Sequence, residues 1–142
     1  MHKAVYGTFL SFLLSSNVLA KDIENVKVDV LAKTNKSWND EKLPHYEKGE
    51  PEITILKIVI PPHVKLPMHK HPIINAGVLL KGELTVVTED NKILHLKAGD
   101  AIVEVVNTWH YGKNEGDEPA ELIMFYAGIK DIPLTILKKD EK

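Results

Sequence analysis

HKHPIINAGVLLKG, the stretch from His69 to Gly82, carries two patterns at once. His69 and His71 stand two residues apart, and on an extended chain residues i and i+2 project from the same face. Asn75 lies four beyond His71 and keeps that parity. The aliphatic run that follows has the composition of a half-buried strand, and Lys81-Gly82 ends it as a turn. The stretch therefore predicts a strand over 73–80 with two imidazoles side by side at its entry.

The same grammar extends in both directions. Glu52 to Ile60 (EITILKIVI) is rich in β-branched residues and stops at Pro61-Pro62, which cannot continue a ladder. Further strands are expected at Leu84–Thr88, Lys92–Leu96, Ala101–Val106 and Glu121–Ala127. Turn signals lie between them at Lys81-Gly82-Glu83, Glu89-Asp90-Asn91, Lys97 to Asp100 and Gly116 to Pro119. Short strands punctuated every 8–12 residues or so indicate a sandwich or barrel. Val26, Val28 and Val30 alternate with Lys27 and Asp29 and predict one more half-buried strand, whereas 34–49 is polar and predicts a loop. No helical periodicity stands out after residue 20.

The first twenty residues read differently. Met1-His2-Lys3 is a short basic start, Ala4 to Leu14 is apolar, and Val18-Leu19-Ala20 places small residues where a signal peptidase cuts. The expectation is a signal peptide at 1–20 and one domain at 21–142, exported to the periplasm or secreted. The apolar run is shorter than the roughly 20 residues that span a bilayer, so no membrane attachment is expected after cleavage. All 18 basic residues are lysine, set against 20 acids, for a net charge of −2. Such a balance argues against nucleic acid as a partner. Without arginine, any anionic ligand must be held by lysine, backbone N–H groups or a metal ion. With no cysteine, disulfides and a lipid anchor are excluded, so the core alone must hold the domain.

Chemistry concentrates in the histidines. Beside His69 and His71, His110 closes a second segment that starts at Gly99 and ends at Asn114. Two imidazoles on one strand and a third from a facing strand can fix an ion inside a barrel and leave one side open to substrate. These two segments resemble the paired motifs of the cupin superfamily. G-x5-H-x-H-x3/4-E-x6-G falls on His69, His71, Asn75 and Gly82, and G-x5-P-x-G-x2-H-x3-N falls on Gly99, His110 and Asn114. The likeness covers about 53–127. Four positions depart from it: His63 stands for the opening glycine, Val105 and Asn107 for the Pro and Gly of the second motif, and Asn75 for the glutamate.

The resemblance implies an all-β fold, a single small jelly-roll β-barrel, and a homodimer. It implies one divalent transition metal on His69, His71 and His110, with Asn75 as a weaker donor through a neutral carbonyl oxygen. Three neutral imidazoles leave such an ion its full charge, which favours a small anionic ligand. They also favour Fe, Ni, Cu or Zn over harder ions. Cupins with three histidines and no acid occur among dioxygenases, so the leading expectation is an oxygenase-type enzyme acting on a small organic anion. The alternatives are a non-catalytic binding module for a sugar or carboxylate, and a metal-carrying or structural protein.

Other candidates read as structural. His95 alternates with Leu94 and Leu96 and is expected at the surface, while His45 and His63 fall in loops. Trp109 and Tyr111 flank His110 and should point away from the site. Of the acids nearby, Glu83 sits in a turn, and Glu104 shares parity with His110 and can face the lumen. Leu122 to Tyr126 is apolar on both faces and suits a central strand or an interface.

Overall fold

A computed structural model describes residues 26–139. The signal peptide expected at 1–20 and its cleavage point before Lys21 lie outside the described residues.

Alternation along the strands decides which sheet faces meet. β1 (Pro51–Ile60) turns Leu56, Ile58 and Ile60 inward and leaves Ile53, Ile55 and Val59 exposed. β8 (Ala120–Ile129) pairs with it antiparallel along its full length, from Pro51 opposite Ile129 to Ile60 opposite Ala120. β3 (Ile74–Lys81) takes the other edge of β8, and β6 (Ala101–Val103) borders β3, giving the sheet order β1-β8-β3-β6. The second sheet runs β5-β4-β7-β2-β9. Its members are β5 (Ile93–Lys97), β4 (Glu83–Thr88), β7 (His110–Lys113), β2 (His69–Lys70) and β9 (Ile136–Leu137). The described residues contain no helix. Ile60, Leu79, Leu84, Val86, Ile102, Leu122 and Met124 are buried between the two sheets and form the core. Each such side chain contributes about 1.5–3 kcal/mol by leaving water. The result is the all-β architecture expected from the strand pattern, in the jelly-roll form that the resemblance implies.

The run Leu122 to Tyr126 is a central strand, flanked by β1 and β3. Its inward residues are core, and Phe125 on the outer face is 44% exposed. Three short elements escaped the pattern: β2 and β9 have two residues each and β7 four, too few to show an alternation. β6 ends at Val103 rather than Val106. The strand expected at Val26–Val30 does not form, and all three valines are more than half exposed. No strand pairs with that segment, and alternation without a hydrogen-bonding neighbour has nothing to bury against. The loop expected at 34–49 is irregular, but it sends Trp38 against the core and donates Ser37 Oγ to the Glu104 carbonyl at 2.8 Å.

The departures from the motif glycines have a backbone explanation. Gly82 and Gly99 have φ of 76° and 95°, and His63 and Asn107, standing where glycines are the rule, keep φ of 62° and 55°. The left-handed turn geometry is thus retained at all four positions although the glycine is lost at two of them. At Gly82 there is also no room, since a Cβ would come within 2.6 Å of the Pro119 carbonyl oxygen. Gly82→Ala is expected to cost about 1–3 kcal/mol. Asn107→Gly, at an exposed position already left-handed, should change stability by no more than about 0.5 kcal/mol. Thermal melts of the two variants check this, and equal losses would contradict the strain argument.

Candidate metal centre

Strand pairing brings the three histidines together. His69 on β2 lies directly opposite His110 on β7, and facing residues of an antiparallel pair project to one side. His71, two residues on, follows with the same parity, held by a parallel bridge to Val106 and by an Asn107 N–H bond to its carbonyl at 2.8 Å. The ring centroids are 4.5 Å apart for His69–His110 and 5.1 Å for each of the other pairs. One ring nitrogen from each lies within 4.8 Å of the other two, and all three residues are buried.

The second nitrogen of each ring is tied to the backbone. Nδ1 of His69 meets the Pro67 carbonyl at 2.7 Å, Nδ1 of His71 the Leu134 carbonyl at 2.8 Å, and Nδ1 of His110 the Thr108 carbonyl at 2.9 Å. A carbonyl oxygen only accepts, so each Nδ1 must carry the proton. In a neutral imidazole that leaves a lone pair on Nε2. Burial lowers the pKa of all three histidines below the ordinary imidazole value, with the backbone carbonyls opposing it. The rings are therefore neutral at pH 7, and their free lone pairs converge. His110 Nε2 is buried with no hydrogen-bond partner. An orphaned buried acceptor costs about 1–3 kcal/mol, and a cation shared with two other imidazoles would relieve it. The residues present thus suit a metal ion.

The three rings border a cavity of about 270 Å³ between the sheets. Its walls are mostly apolar, from Leu56, Ile58, Leu122 and Met124 among others. Tyr126 is 5.6 Å from the His71 ring between centroids, and its phenol pKa is pushed up to about 12, first by burial and then by the Glu104 carboxylate. Its hydroxyl stays protonated. Glu104 also lines the cavity, with Oε2 3.7 Å from His110 Nε2. Burial raises its pKa, opposed by His71, the Val105 N–H and His69. Glu104 thus faces the lumen as its parity with His110 suggested. It is placed there by its pairing beside Asn75, since β6 ends at Val103 and Asn107 breaks the extended chain before His110. A second signal for it lay in the sequence, a single charge inside the apolar run Val103-Glu104-Val105-Val106. Nothing in the sequence singled out Tyr126.

Asn75 on β3 is 1% exposed and lies opposite Tyr126, on the same face of the sheet. Its Nδ2 donates to the Ile73 carbonyl at 3.3 Å, and its Oδ1 is buried without a partner. The side chains of the remaining candidates lie elsewhere. His95 is exposed and bonds Thr85, and His63 pairs with Asp117 at 3.4 Å on the surface. Trp109 and Tyr111 do not line the cavity, and each carries a lysine against its ring.

The family model described as the cupin domain matches residues 56–126. The chain belongs to the cupin family. Among solved structures, this cupin resembles a Klebsiella pneumoniae protein with a double-stranded β-helix domain, at 21% identity and a TM-score of 0.53. The match covers 68% of this chain and 90% of that one. It resembles the DMSP lyase DddQ from Ruegeria pomeroyi at 20% identity and TM-score 0.53, over 60% of this chain and 42% of the lyase. Oxalate decarboxylase from Lactobacillus farciminis matches at 24% identity and TM-score 0.52, over 60% of this chain and 26% of that one. This cupin therefore spans less than half of either enzyme, and the likeness is one of fold. No curated sequence matches the chain.

Neutral histidines buried in this cupin make its stability depend on pH with a defined sign. Their folded pKa values lie below the unfolded value of about 6.5, so the unfolded state binds more protons as pH falls through that range. Glu104→Gln removes the opposing proton uptake of a carboxyl whose folded pKa is raised. Chelator-treated Glu104→Gln should melt at progressively lower temperature as pH drops from about 7 to 5, and the slope should flatten when His110→Gln is added. A melting temperature insensitive to pH in that window would contradict the neutral, buried assignment.

Proposed function

We propose that this cupin binds one divalent transition metal at His69, His71 and His110 and uses it on a small organic anion, as an oxygenase-type enzyme. The observation that supports the reading best is the convergence of three neutral imidazole lone pairs on the edge of a mostly apolar cavity. When bound, the ion would act as a Lewis acid on a substrate oxygen and, if redox-active, would let substrate and O₂ meet.

The chain's own residues set the rest. The carbonyls of Pro67, Leu134 and Thr108 hold the rings in the Nδ1–H tautomer, so no proton need move before a ligand binds. Leu56, Ile58, Leu122 and Met124 give the site apolar walls, which strengthen electrostatic contacts within it. Among the described residues no lysine lines the cavity, so the negative charge of a carboxylate or enolate would have to be met at the ion. The protonated Tyr126 hydroxyl can donate a hydrogen bond to that anion. A volume of about 270 Å³ suits a small molecule, since drug-sized ligands fill pockets of about 300–1,000 Å³.

The test is O₂ uptake with a panel of small carboxylates and enolisable ketones, using metal-loaded protein, chelator-treated protein and His71→Ala. Uptake is expected with the loaded protein alone. Metal-dependent binding of the anions without O₂ uptake would overturn the oxygenase reading and leave a binding module. Anion binding indifferent to chelator would overturn the role of the metal.

The N-terminal pattern supports export, and the family resemblance supports a homodimer. N-terminal sequencing and sedimentation of the exported protein check both. Lys21 as first residue and twice the mature chain mass are expected, whereas a retained Met1 or a monomer would count against the respective proposal.

A further inference from the structure

The cavity holds a carboxylate where the sequence motif has lost one. Asn75 occupies the position of the motif glutamate, and Glu104 lies beside it, one residue past the end of the neighbouring strand β6. The Glu104 N–H donates to the Asn75 carbonyl at 3.0 Å, continuing the register in which Ala76 faces Val103. On its other side Asn75 faces Tyr126. Facing residues of antiparallel strands present their side chains on one face, so Tyr126, Asn75 and Glu104 form a row across the sheet. The two ends of that row, Tyr126 and Glu104, line the cavity with the three histidines.

We infer that Glu104 supplies the anionic metal donor, displaced by one strand at the same level of the barrel from the usual glutamate. The inference rests on the metal-binding reading above. Distance favours it over a simple hydrogen bond. Glu104 Oε2 and His110 Nε2 are 3.7 Å apart, beyond the 2.7–3.2 Å or so of an N–H···O bond. Two donors each about 2.1 Å from one ion at a tetrahedral angle are roughly 3.4 Å apart, close to the Glu104–His110 separation. A turn of the Glu104 side chain is needed to bring it equally near His69 and His71, whose nitrogens cluster with that of His110 without it. The surroundings agree. Glu104 is 7% exposed, its Oε2 accepts a hydrogen bond from the Val105 N–H at 3.2 Å, and no lysine pairs with it among the described residues. Asn75 Oδ1, on the residue paired beside it, and His110 Nε2 are both buried without partners. A buried carboxylate without a cation is costly, and a dication shared with His110 Nε2 would relieve both groups.

The consequence is a change in the site's charge. Three imidazoles and one carboxylate leave a divalent ion with a net single positive charge, matched to a monoanionic ligand. An oxygen donor also improves the fit to harder ions, so the preference for Fe, Ni, Cu or Zn drawn from three imidazoles alone becomes weaker.

Co²⁺ titration of the metal-free protein, read by competition with a chelator and by the visible absorption of bound Co²⁺, tests the inference. Glu104→Gln keeps the shape and removes the charge. It should weaken Co²⁺ binding tenfold or more and alter the Co²⁺ spectrum, and Asn75→Glu added to it should recover affinity by restoring a carboxylate one strand away. Metal-free Glu104→Gln should melt no lower than wild type, because a buried charge is gone. Should that variant fail to fold, Glu104→Asp, one methylene shorter, is expected to show weaker binding and a changed spectrum. Unchanged affinity and spectrum in whichever variant folds would overturn the inference while leaving the three-histidine reading intact. Wild type that fails to bind Co²⁺ would overturn both.

Discussion

Three backbone carbonyls decide the chemistry of this protein. Pro67, Leu134 and Thr108 each take the Nδ1 proton of one histidine, and in doing so fix both the tautomer and the orientation of its ring. The lone pairs that remain have nowhere to go but toward one another. In water such an arrangement would dissolve into solvation, but the two sheets hold the rings inside a barrel where burial keeps them neutral. Two of the carbonyls lie two residues before the histidine they hold, so His69 and His110 are oriented locally, whereas His71 is held by Leu134 from far along the chain and depends on the closure of the fold.

The single acid in the cavity then sets the balance. A chain without arginine, and with no lysine lining the cavity among the described residues, has little to neutralise an anion there except an ion held by imidazoles. Glu104 limits how positive that ion would be, and Tyr126, held protonated, offers a hydrogen bond without adding charge. Apolar walls from β1 and β8 complete a site with few polar groups.

Much of this was legible in the sequence because it is written in short-range spacing. His69 and His71 share a face by the period of an extended chain, and Gly82 and Gly99 mark turns whose backbone geometry the structure bears out. His63 and Asn107 show that the geometry can persist when the glycine does not. What the sequence did not show depends on register between strands far apart in the chain. Glu104 stands beside Asn75 only because β6 pairs with β3, and Tyr126 faces the same cavity only because β8 lies on the other side of β3. β2 and β9 are too short to leave a periodic trace. The valines at 26, 28 and 30 fail in the opposite way, having the period of a strand but no neighbour to pair with.

The central claim is that three preset Nε2 lone pairs share one ion, and side-chain ¹⁵N NMR of the imidazoles during a Zn²⁺ titration tests it most directly. Before metal, His69, His71 and His110 should all be neutral Nδ1–H tautomers. At one equivalent of Zn²⁺ their three Nε2 signals should shift together while the Nδ1 protons are retained. Nε2 signals that saturate at different metal ratios, or a ring that binds through Nδ1, would contradict the account.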